Sequence, residues 1–176
     1  MTREQLINKI DIQEEKYRII TTELLKEIFK DKLIAVSGTP YGEGVDIRFS
    51  AYTNNNTIVT YDVENKERNK STEDLIKYPT SELKKSKYEN MLTAHTNNKL
   101  IYIQYVNETA IIYDMDKLNW DKIKLYNWKI KHTQYDDESE FEVVPTYFIP
   151  YYQRIMMIDA HKYFDYYYAN NQPKQE

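Results

Sequence analysis

The chain has 176 residues, a formal net charge of -4 and no cysteine. This length suits one domain with a substantial core. The lack of cysteine excludes a disulfide framework, a zinc-cysteine cluster and thiol catalysis, so any metal ion must be held by carboxylate or histidine side chains. The acidic balance disfavours broad coating of nucleic acid and leaves only local basic patches for such a partner.

No run in the sequence approaches the roughly 18 consecutive apolar residues of a membrane span, and polar residues follow Met1. We therefore expect a protein that is not embedded in a membrane, has no membrane partner and is not secreted. The 18 tyrosines, together with abundant lysine, isoleucine and asparagine, are typical of an AT-rich genome. This composition favours a cytoplasmic protein of a bacterial or phage-infected host cell.

Residues 2–32 carry apolar side chains at helical spacing and are predicted to form one long amphipathic helix. Residues 33–36 then form a short strand or the exit of that helix. All three glycines lie in residues 37–44. This segment also contains a proline and is predicted to be irregular.

The rest of the chain alternates between patterns of period two, typical of strands, and helical patterns. The first four strand patterns form two hairpins, the second of which turns at Asn107 and Glu108. The predicted strands are residues 45–52, 57–66, 99–106, 109–115, 125–134 and 141–149. The predicted helices are residues 71–78, 81–95 and 155–168, and residues 171–176 form a frayed tail.

This order predicts a single domain over residues 1–176, of class α/β (α+β), with a mixed central sheet flanked by helices. We expect a core over about residues 2–115 in the order helix, three strands, helix, strand. A further hairpin and a C-terminal helix form an added extension over about residues 116–170.

The register of the first hairpin follows from burial, because a shift by one residue would exchange the two faces of each strand. If the loop centres on Asn55, paired residue numbers sum to 110 and one face becomes wholly apolar. The apolar pairs are Ile47 with Val63, Phe49 with Tyr61, and Ala51 with Val59. The polar pairs are Ser50 with Thr60, Arg48 with Asp62, and Asp46 with Glu64, and Lys66 follows on the same face.

The pairing of Asp46 with Glu64 points to a cation. Directly opposed Cβ atoms lie roughly 4.5 to 5.5 Å apart, so like charges there destabilise the sheet. Mg²⁺ would offset this repulsion, since it is commonly held by one or two carboxylates with water and substrate phosphate. The alternative is a solvated pair at the sheet edge that Lys66 partly neutralises.

The tripeptide Glu-x-Lys is not diagnostic by itself, because it occurs three times in the chain. Glu64 is distinguished by its position at the end of a strand, opposite an acid, in the register that buries the apolar residues. The three occurrences begin at Glu14, Glu64 and Glu82.

Asp46 on one strand, followed by Glu64, Asn65 and Lys66 on the next, resembles the PD-(D/E)xK nuclease superfamily. The hairpin of that family supplies an aspartate from one strand and Glu-x-Lys from the following one. The resemblance includes the element order αβββαβ, so it implies a restriction-endonuclease-like fold. Val45 stands where the family formally has proline.

The resemblance also implies roles for these residues. Asp46, Glu64 and the backbone carbonyl of Asn65 would bind Mg²⁺ or Mn²⁺, and Lys66 would orient or activate the attacking water. The metal would act as a Lewis acid and template in phosphodiester hydrolysis. We expect a DNA endonuclease, with RNA as the less favoured substrate.

Members of the family often add a glutamate from the first helix to the metal site. By helical phase Glu14 lies on the stripe of Ile10 and Tyr17, which faces the sheet, so it is the predicted further ligand. The alternative is a partly exposed helix glutamate paired with Arg18 one turn along.

Four further residues are predicted to bind substrate. Arg68, Lys70 and Lys87 would form a local basic patch for the phosphate backbone, although a solvated surface would explain them equally well. Gln104 lies in the middle of a strand and either approaches the same cleft or is a core amide.

A different function is also open: a catalytically silent module of the same fold that binds nucleic acid or has a structural role in a phage or bacterial complex. The acidic net charge favours it. The aromatic residues at 163–168 suit helix packing or self-association, which leaves a homodimer open, with base stacking as a third alternative. The three histidines lack metal-ligand spacing.

Overall fold

The computed structural model describes residues 3–40, 43–94, 97–131 and 141–171. These residues form four α-helices and nine β-strands. The helices are α1 (Arg3–Phe29), α2 (Thr72–Lys77), α3 (Lys85–Ala94) and α4 (His161–Asn171). The strands are β1 (Leu33–Gly38), β2 (Ile47–Tyr52), β3 (Ile58–Arg68), β4 (Thr80–Lys84), β5 (Lys99–Val106), β6 (Thr109–Asp114), β7 (Lys124–Lys131), β8 (Phe141–Pro150) and β9 (Met156–Asp159).

The strands form two sheets. The central sheet has six strands in the order β1-β2-β3-β5-β6-β9, in which β3 and β5 are parallel and the other neighbours are antiparallel. The smaller sheet is antiparallel, in the order β4-β8-β7. The predicted class, a mixed central sheet flanked by helices, is therefore confirmed.

Alternate residues of β5 contribute to two separate hydrophobic cores, as expected of a strand buried on both faces. Ile103 belongs to the core that includes Ile20 of α1 and Phe164 of α4. Tyr102 belongs to the other core, with Met91 of α3 and residues of the smaller sheet. The central sheet therefore lies between α1 and α4 on one side and α3 with the smaller sheet on the other.

The predicted register of the first hairpin is confirmed from the pair Ile47 and Val63 to the pair Tyr52 and Ile58, whereas Asp46 precedes β2 and its predicted pairing with Glu64 is not part of the ladder. Two of the predicted polar pairs also bond through their side chains. Arg48 Nε donates a hydrogen bond of 2.8 Å to Asp62 Oδ1, and the Ser50 and Thr60 hydroxyls lie 3.0 Å apart. The second hairpin is confirmed as well, with Asn107 and Glu108 at φ 47° and 64°. The observed apolar pairs are Ile47 with Val63, Phe49 with Tyr61, and Ala51 with Val59.

Two predicted helices begin too early. The helix predicted at residues 81–95 starts only at Lys85, because Thr80–Lys84 forms β4 and pairs with β8. The helix predicted at residues 155–168 starts at His161, because Met156–Asp159 forms the edge strand β9 beside β6. In both cases pairing with a distant strand overrides a helical pattern.

The other differences are smaller. The first helix ends at Phe29, residues 30–32 form a 3₁₀ turn, and β1 continues to Gly38 in the segment predicted to be irregular. Residues 132–134 of the strand predicted at residues 125–134, and residues 172–176 of the predicted tail, lie outside the described residues, whereas Asn171 ends α4. No helix in the described ranges has both the length and the apolar character that a membrane span requires.

Candidate active site

Asp46 is fixed at the open end of the first hairpin, immediately before β2. Its N–H donates to the Val63 carbonyl at 2.9 Å, and its Oδ2 accepts from the Asn65 N–H at 2.7 Å. The loop that delivers Asp46 bends at Gly44, whose φ is +80°. A Cβ atom on Gly44 would lie 3.0 Å from the Asn90 carbonyl oxygen of α3, so the close approach of loop and helix requires glycine here.

Glu64 lies one residue before Asn65 on β3, and its side chain is only 7% exposed. The Nζ of Lys87, on α3, lies 2.9 Å from Glu64 Oε2. Among the described residues no other donor reaches Oε2, which is a buried atom. Glu64 is thus paired with a cation but incompletely satisfied.

The pKa values of both acids are raised, and Asp46 contributes to the shift of Glu64. Burial, and then the charge of Asp46, raise the pKa of Glu64 to about 8, although Lys87 opposes the shift. Burial also raises the pKa of Asp46 above its ordinary value, against the Asn65 N–H and Lys87, which favour the ionised form. The site therefore does not fully stabilise the ionised form of either acid.

Glu14 of α1 belongs to the same electrostatic group. It is half-buried, and its pKa is raised first by burial and then by Asp46, while Arg18 and Lys87 lower it. Arg18, the alternative partner predicted from the sequence, forms an ion pair of 3.8 Å with Glu15 and donates to the Thr39 carbonyl at 3.2 Å. Glu14 therefore approaches Asp46, in agreement with the predicted helical phase.

Lys87 is the cation that these acids share. Desolvation lowers its pKa, but Glu64, Asp46 and Glu14 outweigh that effect, so the pKa of Lys87 is raised overall. Lys87 thus acts on all three carboxyl groups, together with Arg18 and Lys66. In the described part of the chain, no three acidic or histidine side chains are grouped closely enough to hold one metal ion.

Lys66 is exposed and lies two residues beyond Glu64 on β3. Desolvation and the neighbouring cation Arg68 lower its pKa, while Glu64 opposes the change. Gln104 of β5 is its register partner and is fully buried. The amide of Gln104 donates to Glu82 Oε2 at 3.2 Å, but its own Oε1 has no partner in the described residues. Gln104 is therefore a core amide that is only partly satisfied.

Arg68 and Lys70 gather at Glu82 and not at the acid pair. Arg68 Nε lies 3.4 Å from Glu82 Oε2, and Lys70 Nζ lies 2.6 Å from Glu82 Oε1. Sequence reasoning missed Glu82, because it placed this residue in a helix when it lies on β4. The sequence of β4 gives no strand signal of its own, because Leu83 is its only apolar residue.

Comparisons of the chain with models of protein families, with curated proteins and with solved structures give no match. A function must therefore be argued from the geometry of the chain itself.

Proposed function

We propose that this protein is a nuclease that uses Mg²⁺ or Mn²⁺ to hydrolyse phosphodiester bonds, with DNA as the favoured substrate. The observation that carries the proposal is that the half-buried Asp46 acts electrostatically on the buried Glu64 at the open end of a hairpin, with Lys66 following Glu64 on β3. Burying two neighbouring acids is unfavourable unless a cation balances them. Such an arrangement is typical of functional sites.

The element order supports a restriction-endonuclease-like core. Helix α1 is followed by β1, β2 and β3, then by α3 and by β5, which pairs in parallel with β3. This is the order αβββαβ that the sequence resemblance implies. Helix α2 and strand β4 are insertions before α3, and β4 belongs to the smaller sheet.

The residues present fit a hard dication. All candidate donors are oxygen atoms, and the buried Glu64 Oε2 lacks a hydrogen-bond partner among the described residues. Mg²⁺ needs only one or two carboxylates from the protein, because water and phosphate complete its coordination. Asp46 and Glu64 would hold the ion with the Asn65 carbonyl, and Glu14 would contribute through its charge or as a further ligand.

Each side chain then has a separate task. A bound dication would supply Lewis-acid stabilisation of the charge that develops on the phosphate. Lys66, exposed beside the acids, would orient the attacking water and contact the scissile phosphate. Gln104 supports the strand position of Lys66, and the Glu82 cluster holds Arg68 and Lys70 near the path of the phosphate backbone.

The test is cleavage of plasmid and oligonucleotide DNA with Mg²⁺ or Mn²⁺. Asp46→Asn, Glu64→Gln and Lys66→Met should each reduce cleavage by roughly 100-fold or more. Glu89→Gln and Lys85→Met are matched controls, because these two exposed residues of α3 pair with each other at 3.6 Å. Cleavage at the wild-type rate by all three site variants would refute the proposal. Labelled RNA of the same sequence tests substrate class.

A second candidate is a catalytically silent module that binds nucleic acid. The ion pair between Lys87 and Glu64 favours it, because this contact partly balances the acid pair without a metal ion. A silent module would bind oligonucleotides equally well with or without a chelator and would hydrolyse neither DNA nor RNA. Metal-dependent cleavage that the site variants abolish would exclude it.

A further inference from the structure

Lys87 reaches from α3 into the acid pair and makes its closest described contact with Glu64 Oε2, at 2.9 Å. We infer that Lys87 is a resident counter-cation that a divalent ion must displace from Glu64, and that the released ammonium group then binds the phosphate backbone of the nucleic acid. This inference rests on the proposed function and adds an order of events to it.

The geometry gives the first step of the argument. The Glu64 oxygen that Lys87 contacts is the buried oxygen without a hydrogen-bond partner among the described residues. A dication bound by Glu64 and Asp46 would compete for that oxygen. A dication and the Lys87 ammonium group cannot both bind this oxygen, because like charges a few ångströms apart in a poorly solvated environment repel strongly. The ammonium group must therefore withdraw when the ion binds.

The side chain of Lys87 can withdraw without unfolding α3. It is 34% exposed, so part of it already reaches solvent. Lysine has a long flexible stem and a compact charge, which suits it to exchange one oxygen partner for another.

A consequence for substrate binding follows. While Lys87 balances Glu64, its charge is not available to phosphate. Once a dication replaces it, the ammonium group lies beside the site with no acid to offset it fully. Metal and nucleic acid then strengthen each other's binding, a coupling that must be reciprocal.

The test measures the reactivity of Lys87 in the wild-type protein. The amines are labelled briefly with acetic anhydride at increasing Mg²⁺ and constant ionic strength, and each lysine is quantified by mass spectrometry. Acetylation of Lys87 should rise severalfold, with a midpoint that matches the Mg²⁺ affinity from calorimetry. Lys85, paired with Glu89 on the same helix, is the internal control and should not respond. Asp46→Asn should abolish the response.

The second arm adds an oligonucleotide to the Mg²⁺-bound Lys66→Met protein, which should leave the DNA intact. Lys87 should become protected again, and continued high reactivity would overturn the transfer to phosphate. Mg²⁺ binding without any change at Lys87 would overturn the displacement but leave the proposed nuclease standing. No Mg²⁺ binding by the wild-type protein would overturn both.

Discussion

Glu64 and Glu82 are both largely buried carboxylates beside cations, yet their surroundings differ. The Glu82 side chain, 12% exposed, contacts Arg68, Lys70 and the amide of Gln104. The Glu64 side chain, 7% exposed, forms an ion pair with Lys87 and has a neighbouring acid, Asp46. The first carboxylate is surrounded by donors, which is what a structural role requires. The second is short of positive charge, which is what a cation site requires.

The largest expected effect is the loss of stability when Glu82 is removed. Glu82→Ala leaves Arg68 and Lys70 without their shared acid, and breaking a buried ion pair in this way costs about 3 to 5 kcal/mol. Denaturant unfolding followed by circular dichroism measures the change. Glu89→Ala is the control, because its exposed pair with Lys85 contributes less than about 1 kcal/mol. Equal losses of stability in the two variants would show that Glu82 contributes no more than an exposed ion pair does.

Glu64, in contrast, should destabilise the folded protein when it is ionised, so its effect on stability should depend on pH. Its pKa is raised from 4.5 to about 8, so between these values the folded protein binds more protons than the unfolded chain. Stability in the presence of a chelator therefore falls as pH rises from about 5 to 8 and levels off above 8.

Glu64→Gln should lose this part of the pH dependence and become more stable than the wild type at pH 8. Thermal unfolding of both proteins between pH 5 and 9 measures the difference. If the stability difference between them stayed constant with pH, Glu64 would be ionised throughout, and the contrast with Glu82 would have another cause.

Gly44 tests whether the position of Asp46 depends on the loop. Its φ is +80°, and a Cβ would meet the Asn90 carbonyl oxygen at 3.0 Å. Gly44→Ala should destabilise the protein by about 2 kcal/mol and shift Asp46, with a loss of metal affinity measurable by calorimetry. Gly38→Ala is the matched control, since its Cβ would meet only the flexible Arg18 side chain, at 3.4 Å. Similar behaviour of the two variants would show that the loop does not hold the site.

The contrast between the two clusters also separates what the sequence could predict from what it could not. The pair Asp46 and Glu64 was predictable, because Ile47, Phe49 and Ala51 alternate with polar residues and allow one register. Glu14 was predictable from helical phase alone.

The Glu82 cluster was not predictable, because it depends on β4, whose partner β8 begins at Phe141. The local sequence of β4, with glutamate, leucine and lysine, favours a helix, and no short-range pattern identifies so distant a partner. The edge strand β9 was not predicted either, because its partner β6 is also distant in the sequence. Arg68 and Lys70 were predicted to bind substrate or to lie on a solvated surface, and their ion pairs with Glu82 were missed because Glu82 was placed in a helix.

The smallest expected effect concerns an exposed ion cluster, where solvent weakens each contact. His161 Nδ1 lies 2.5 Å from Glu108 Oε2, and its Nε2 lies 3.4 Å from Asp165 Oδ2. The hydrogen bond with Glu108, and then the charge of Asp165, raise the pKa of His161 above its ordinary value of 6.5. The cluster therefore stabilises the fold fully below pH 6.5 and stops doing so as pH rises through the higher folded-state value.

The difference in melting temperature between the wild type and His161→Gln should thus be greatest near pH 5.5 and vanish at high pH. Because the side chains are exposed, added salt should shrink it, whereas salt should hardly change the effect of Glu82→Ala. A salt-insensitive effect at His161 would mean that packing, and not charge, joins α4 to the turn between β5 and β6. The response to salt therefore distinguishes the exposed His161 cluster from the clusters of Glu64 and Glu82 more clearly than the size of any single stability change does.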